Sequence, residues 1–143
     1  MRFNYHVPTD IRFGIGVVEG LGKTVAPYGK KALLVYGGNS IKRNGVYEAV
    51  TNSLKEAGIE WFELPGVEPN PRHTTVNRGA AICKQEGIDV LLAVGGGSTI
   101  DSSKAIAHGI KYDGDFWDFW CGKAKLTETV MIGVVLTMSA AGS

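Results

Sequence analysis

Short apolar runs alternate with segments of helical periodicity along most of this chain, and turn residues separate them. Apolar runs predict buried strands at residues 32–36 and 89–94, and further strands are predicted at residues 59–64 and 130–136. Apolar positions at helical spacing predict helices at residues 17–28, 74–87 and 99–110, and a further one that carries Tyr47, Val50 and Leu54 and ends before Gly58. This alternation predicts an α/β fold, a Rossmann-like and mostly parallel sheet with helices on both faces.

The N-terminal region predicts two shorter strands. Residues 3–7 alternate apolar and polar side chains like a half-exposed strand, and residues 11–13 form a second short apolar run. Pro27 is expected to end or bend the first helix, because proline has no N–H to continue it. An unpaired strand edge at residues 3–7 would promote self-association, so we expect a homo-oligomer.

A glycine triplet follows one of the predicted strands. Gly95, Gly96 and Gly97 let the backbone turn sharply and leave no Cβ between its amides and a ligand. Ser98 is expected to cap the next helix, with Asp101 at the capping-box position. The free amides and the helix dipole would then attract a diphosphate to this turn. A plain strand-to-helix connection is the alternative.

The order of these residues resembles the G-G-G-S-x-x-D-x-x-K pattern of the iron-containing (group III) alcohol dehydrogenases, with Lys104 as the final lysine. Other segments are similar to the same family in the same order, at residues 9–16, 37–40, 68–71, 112–118 and 137–143. The pattern is most similar to the NADP(H)-dependent butanol- and aldehyde-reducing members. The resemblance implies that residues 1–143 form the dinucleotide-binding domain of a longer enzyme.

That resemblance implies a reaction as well as a fold. The full-length enzyme would transfer a hydride between NADP(H) and a primary alcohol or aldehyde, assisted by a divalent metal, iron or zinc. The family's metal ligands, an aspartate and three histidines, belong to a helical domain downstream, so this chain is expected to hold no metal and to be inactive alone. A glycerol-dehydrogenase-like or 3-dehydroquinate-synthase-like enzyme and a non-catalytic nucleotide-binding module are the alternatives.

A second polar turn bears on cofactor choice. Gly37, Gly38, Asn39 and Ser40 follow the strand at residues 32–36, where an acidic residue commonly accepts hydrogen bonds from an adenine-ribose 2′-hydroxyl. Glycine removes that charge, and the resemblance places this segment at the 2′-phosphate of NADP(H). We therefore predict a preference for NADP(H), with NAD(H) possible and a plain turn as the alternative.

The remaining candidate residues are spread along the chain. Asn70, between two prolines, can bond a ribose or a backbone carbonyl, and the resemblance implies that it lines the cofactor cleft. Thr137 and Ser139 follow the last strand, where parallel sheets form their ligand crevice. Asp101 could be only a cap, but the resemblance places it at the nicotinamide side, near the substrate.

Composition excludes several other classes of function. The 143 residues carry a formal net charge of +1 at pH 7, without a basic stripe or an apolar run of membrane-spanning length, so neither nucleic acid nor membrane is an expected partner. The first residues lack the apolar core of a signal peptide, which predicts a cytoplasmic protein. Cys83 and Cys121 are predicted to be reduced structural thiols. The aromatic segment 116–120 is expected in the core or at a seam between domains.

Overall fold

The computed structural model describes residues 1–140 and 142–143. A short 3₁₀ helix over Val17–Gly20 precedes the regular elements. These follow in the order α1 (Leu21–Val25), β1 (Lys31–Tyr36), α2 (Ser40–Arg43), α3 (Val46–Glu56), β2 (Glu60–Leu64), α4 (His73–Glu86), β3 (Val90–Gly95), α5 (Gly97–Ile110), α6 (Trp117–Trp120) and β4 (Met131–Leu136). The predicted α/β class is confirmed.

Within the described residues, the strands form one parallel sheet in the order β2-β1-β3-β4. β1 and β3 lie at its centre, and Tyr36 at the end of β1 pairs with Val94 near the end of β3. The chain leaves β1 toward β2 and then returns past β1 to form β3, so the strand order reverses between the two central strands. Open parallel sheets form a ligand crevice outside the carboxyl ends of the strands at such a reversal.

Hydrophobic cores on both faces of the sheet explain why its central strands are continuous apolar runs. Successive side chains of a strand point to opposite faces. The core on one face joins the strands to α3, through Leu34, Leu92, Val50 and Leu54. The core on the other face joins them to α4 and α5, through Leu33, Leu91, Val76 and Ile106. The predicted covering of both faces by helices is therefore confirmed.

Helix α1 packs closely against α3 at Gly22. The backbone N–H of Gly22 donates to Ser53 Oγ at 2.9 Å, and Ser53 Oγ donates to the Glu19 carbonyl oxygen at 2.7 Å. A Cβ on Gly22 would lie 2.1 Å from the Ser53 carbonyl oxygen. The close approach of the two helices therefore requires glycine here.

The strands predicted at residues 3–7 and 11–13 are wrong. Both segments lack regular secondary structure and are exposed, with Phe3 at 82% and Phe13 at 99% relative accessibility. Alternation alone does not make a strand, because each strand needs a neighbour for its backbone hydrogen bonds. Among the described residues, the sheet ends at β2 and β4 instead.

The helix predicted at residues 17–28 is shorter than expected. Its first turn is the 3₁₀ helix, and α1 ends at Val25, before Pro27. The expected role of Pro27 as a helix terminator agrees with this end, because its nitrogen carries no hydrogen to donate.

Candidate functional site

The glycine triplet forms the connection between β3 and α5, at the carboxyl end of the sheet. β3 ends at Gly95, Gly96 is extended with φ −97° and ψ −165°, and α5 begins at Gly97. Among the described residues, no side chain caps this helix. The first amides of α5, with the positive end of the helix dipole, are therefore available to an anion.

The predicted capping box is wrong. Ser98 is the second residue of α5 rather than its cap, and the exposed Asp101 lies too far along the helix to reach the cap. Thr99, which the sequence analysis did not select, donates from Oγ1 to the Gly96 carbonyl oxygen at 2.7 Å. Gly96 is the N-cap residue that precedes α5, because glycine adopts the extended cap conformation freely and needs no side chain there.

The three glycines differ in their surroundings. A Cβ on Gly95 would lie 2.9 Å from two atoms of the Thr99 side chain, so this glycine is required for packing. A Cβ on Gly96 would have the Met138 carbonyl oxygen as its nearest neighbour, at 3.8 Å. A Cβ on Gly97 would meet Ser143 Oγ at 2.9 Å. A side chain at Gly96 would thus have room, whereas one at Gly97 would require the end of the Ser143 side chain to move.

The segment after β4 meets the glycine triplet. Leu136 pairs with Gly95, and the Thr137 N–H donates to the Gly95 carbonyl oxygen at 2.9 Å. Ser139 follows and is exposed. The end of the described chain therefore lies beside the turn between β3 and α5.

The second turn, Gly37, Gly38, Asn39 and Ser40, lies at the same edge of the sheet. It leaves the end of β1, next to the end of β3, and α2 begins at Ser40. A Cβ on Gly37 would be 3.4 Å from the Val67 carbonyl oxygen, whereas one on Gly38 would have no neighbour within 4 Å. The fold brings the two glycine turns together at the crevice, although they are far apart in sequence.

The loop after β2 lies at the same edge of the sheet and contacts the second glycine turn. The Gly66 N–H donates to the Gly37 carbonyl oxygen at 2.9 Å. Asn70, in the same loop, is exposed and has a left-handed backbone with φ 63°. Thr75 Oγ1 donates to Glu68 at 2.9 Å, which connects the loop to the first turn of α4. The loop is thus anchored at Gly66 and at Glu68, and Asn70 lies between these anchors and the start of α4.

A polar cluster beside the second turn was not predicted from the sequence. Glu63 accepts hydrogen bonds from the hydroxyls of Tyr36 and Tyr47, and Lys42 Nζ lies 3.8 Å from its carboxylate. Burial raises the pKa of Glu63, but the two tyrosine hydrogen bonds and the lysine charge outweigh burial and lower this pKa overall. Glu63 is therefore ionised at neutral pH. Residues far apart in sequence meet here, so no local motif signals the cluster.

The histidines do not converge. His73, the first residue of α4, is hydrogen-bonded through Nε2 to Asp115 at 2.8 Å. His108 lies on α5 and packs against Trp120, with ring centroids 5.0 Å apart. Burial lowers the pKa of His108. No three His, Cys, Asp or Glu side chains within residues 1–140 and 142–143 are grouped to hold a metal ion.

The aromatic segment is split between core and surface. Phe116 is buried, whereas Trp117 and Trp120 stack on each other and are each 52% exposed.

The two cysteines differ in exposure. Cys83 is buried and Cys121 is exposed, so the interpretation as a structural thiol fits Cys83 and not Cys121.

The order of motifs and the fold agree with one known family. The family model for iron-containing alcohol dehydrogenases matches residues 8–143. The chain belongs to this family. The resemblance inferred from the glycine-rich motifs is thereby confirmed.

Individual dehydrogenases of the family are similar over nearly the whole chain. NADH-dependent butanol dehydrogenase A of Clostridium acetobutylicum is 50% identical over all of the chain, and NADPH-dependent aldehyde reductase YqhD of Escherichia coli is 37% identical over 99% of it. The crystal structure of NADH-dependent butanol dehydrogenase A from Thermotoga maritima superposes on 97% of the chain with a TM-score of 0.93 and 46% identity. The chain spans 37% of the length of each of the first two proteins.

Proposed function

We propose that this chain is the dinucleotide-binding domain of a nicotinamide-dependent alcohol dehydrogenase that interconverts primary alcohols and aldehydes. One observation carries the proposal. The two glycine turns, after β1 and after β3, lie side by side where the strand order reverses, and the Gly97 turn opens an uncapped helix. A dinucleotide needs two such subsites, one for its diphosphate and one for its adenine ribose.

The diphosphate subsite is the turn between β3 and α5. The amides of Gly96, Gly97 and Ser98 would bind the phosphate oxygens, and the two glycines place no side chain between these amides and the ligand. Gly95 would shape the turn rather than touch the ligand. Thr137, hydrogen-bonded to Gly95, would contribute its hydroxyl at the same place.

The other candidate residues would surround the remainder of the cofactor. Ser139 would extend the diphosphate subsite, and Asn70 would bond a ribose from the loop after β2. Asp101 is exposed near the start of α5, in keeping with a position at the nicotinamide side near the substrate. These roles follow from the family pattern, and substitution of each residue tests them.

The adenine-ribose subsite bears on cofactor choice. Gly37 stands where a carboxylate would repel a 2′-phosphate, and Gly38 has free space around it, so we retain the predicted preference for NADP(H). The relatives are named for both cofactors, as the NADH-dependent butanol dehydrogenase and the NADPH-dependent reductase illustrate. NAD(H) is therefore the competing cofactor in every test.

The chemistry of the full-length enzyme needs more than this domain. A bound nicotinamide would supply or accept the hydride, and the family name implies iron. This metal, or zinc as the alternative from the sequence resemblance, would polarise the substrate oxygen. The described residues do not form a ligand group for such a metal, so we assign no metal-bound step to this chain. Its own part is to bind the dinucleotide and to orient it.

The partners follow from the same proposal. A small alcohol or aldehyde would be the substrate, and exposed apolar residues such as Phe3 and Leu136 favour a homo-oligomer, for example a dimer. No helix in the described part of the chain is long and apolar enough to cross a bilayer. The cytoplasmic location stays a prediction.

Calorimetric titration of the chain tests the proposal. We expect NADPH and NADH to bind and nicotinamide mononucleotide, which lacks the adenosine half, to bind far more weakly. Binding of neither dinucleotide would contradict the proposed function. Equal binding of the mononucleotide would contradict the assignment of the two glycine turns to diphosphate and adenosine.

A further inference from the structure

Glu63 is the centre of a closed polar cluster on one side of the sheet. It lies on β2 opposite Leu34 of β1 and accepts hydrogen bonds from the hydroxyls of Tyr36 and Tyr47. The Lys42 ammonium lies 3.8 Å from the Glu63 carboxylate. It also lies over both tyrosine rings, 5.4 Å from the centroid of Tyr36 and 4.7 Å from that of Tyr47.

The cluster is directly connected to the second glycine turn. Tyr36 is the residue before Gly37, and Lys42 belongs to α2, the short helix that begins at Ser40. The turn therefore lies in the chain between Tyr36 and Lys42, which both belong to the cluster. A 2′-phosphate on an adenine ribose at this turn would therefore be near the cluster in the chain, and charges interact over about 8–10 Å at ordinary ionic strength.

The charge of Lys42 is not free to act on such a phosphate. The hydrogen bonds from two tyrosines hold the Glu63 carboxylate in place, and its ionised form compensates the ammonium. The tyrosine rings fix the same ammonium by cation–π contacts. The basic residue beside the second glycine turn is thus compensated by a carboxylate from β2.

We propose that Glu63 is a specificity-determining residue for the cofactor, which limits binding of NADPH relative to NADH by neutralising Lys42 beside the Gly37 turn. The inference rests on the proposed function, since it concerns the adenine-ribose subsite. It adds a residue from β2 that has no place in the glycine motifs. Gly37 admits the 2′-phosphate, and Glu63 opposes it.

The decisive variant is Glu63→Gln. Its amide keeps the size of the side chain and still accepts from a tyrosine hydroxyl, but it removes the negative charge. We expect the Kd for NADPH to fall about twofold to fivefold relative to that for NADH, in line with one unit charge at a partly solvated distance. The gain should shrink at 0.5 M salt, where screening shortens the range of the interaction to roughly 4 Å.

The chain contains a matched control on the same strand. Glu60 lies at the opposite end of β2 and is more exposed, and it pairs with Lys31 at 3.9 Å. Glu60→Gln makes the same change of net charge far from the glycine turns. It should leave the ratio of the two dissociation constants unchanged.

A second variant covers the case in which Glu63→Gln does not fold, as judged by circular dichroism. Lys42→Met leaves Glu63 uncompensated, so NADPH binding should weaken about twofold to fivefold while NADH binding stays constant. An unchanged NADPH to NADH ratio in a folded Glu63→Gln or Lys42→Met variant would overturn the inference, and so would an equal effect of Glu60→Gln. Failure of the unmodified chain to bind either cofactor would instead contradict the proposed function.

Discussion

The backbone N–H of Thr137 donates a 2.9 Å hydrogen bond to the carbonyl oxygen of Gly95. This bond extends the pairing of β4 with β3 by one step beyond the strand, because Leu136 already pairs with Gly95. The last motif of the sequence is thereby held against the glycine triplet. Gly95 and Thr137 are separated in the chain by α5 and α6, yet both lie at the same edge of the sheet.

Gly97→Val is expected to remove most nucleotide affinity while leaving the fold intact. The valine side chain would occupy the space through which the diphosphate reaches the amides of α5, and inside the protein it meets only the end of the Ser143 side chain. Titration with NADPH, with circular dichroism to check folding, measures the effect. Gly20→Val is the control, because a Cβ at Gly20 meets no atom within 4 Å and lies in the distant 3₁₀ helix. Unchanged affinity in folded Gly97→Val would show that the triplet is only a turn.

Gly37→Asp is expected to reverse the predicted preference for NADP(H). A carboxylate at this position would repel a 2′-phosphate and accept from a 2′-hydroxyl. One or two net hydrogen bonds to the phosphate correspond to roughly ten- to several-hundred-fold in Kd. The nearest atom to a new Cβ is 3.4 Å away, so the fold should tolerate the change.

Gly37→Asn serves as the matched control, because it adds the same volume without charge. Fluorescence titrations with NADPH and NADH compare the three proteins. Equal or tighter NADH binding by the unmodified chain would refute the predicted preference.

Gly22→Ala is expected to lower the free energy of unfolding by about 2–4 kcal/mol. The added methyl group would lie 2.1 Å from the Ser53 carbonyl oxygen, so α1 and α3 must separate. Urea denaturation followed by circular dichroism gives the value. Gly20→Ala, in open space at the preceding turn, should change stability by less than about 1 kcal/mol. A urea midpoint for the Gly22→Ala variant equal to that of the unmodified chain would contradict the close packing of α1 and α3.

Cys121 is expected to react with a thiol reagent in the native protein, whereas Cys83 should react only after unfolding. Burial raises the pKa of the Cys83 thiol to about 12 from an ordinary value of 9.0. The unfolded chain therefore loses this proton at lower pH than the native chain. The free energy of unfolding should decrease as the pH rises above about 9, and below that pH the group should have no effect.

Counting thiols with a chromogenic reagent at neutral pH, before and after addition of urea, checks the first part. A Cys83→Ala variant with a smaller alkaline decrease in stability than the unmodified chain would support the expected effect of pH. Rapid labelling of both thiols in the folded protein would contradict the burial of Cys83.

The chain is expected to self-associate at high concentration. Phe3 and Phe13 are almost fully exposed in the N-terminal segment, and Val134 and Leu136 are half-exposed on the edge strand β4. Light scattering over a range of concentrations measures the mass. The double variant Phe3→Ser/Phe13→Ser should reduce the association, and a monomer at high concentration for the unmodified chain would contradict the prediction.

The sequence by itself determined the order of the four paired strands and of the longer helices between them, the α/β class and the family. These depend on local information, because a buried parallel strand is a continuous apolar run and a glycine turn leaves a recognisable spacing. The boundaries of β1 and β3 and the site of the triplet could be predicted for this reason. The glycine motifs also placed the candidate cofactor residues at strand ends.

Only the tertiary structure decided which segments meet. Residues 3–7 alternate like a strand yet have no partner, because pairing depends on what else the sheet contains. Gly96 rather than Ser98 is the N-cap residue of α5, because the extended backbone of the glycine completes the turn without a side-chain cap. Glu63 meets Lys42 through the pairing of β1 with β2, a long-range register that local patterns do not encode.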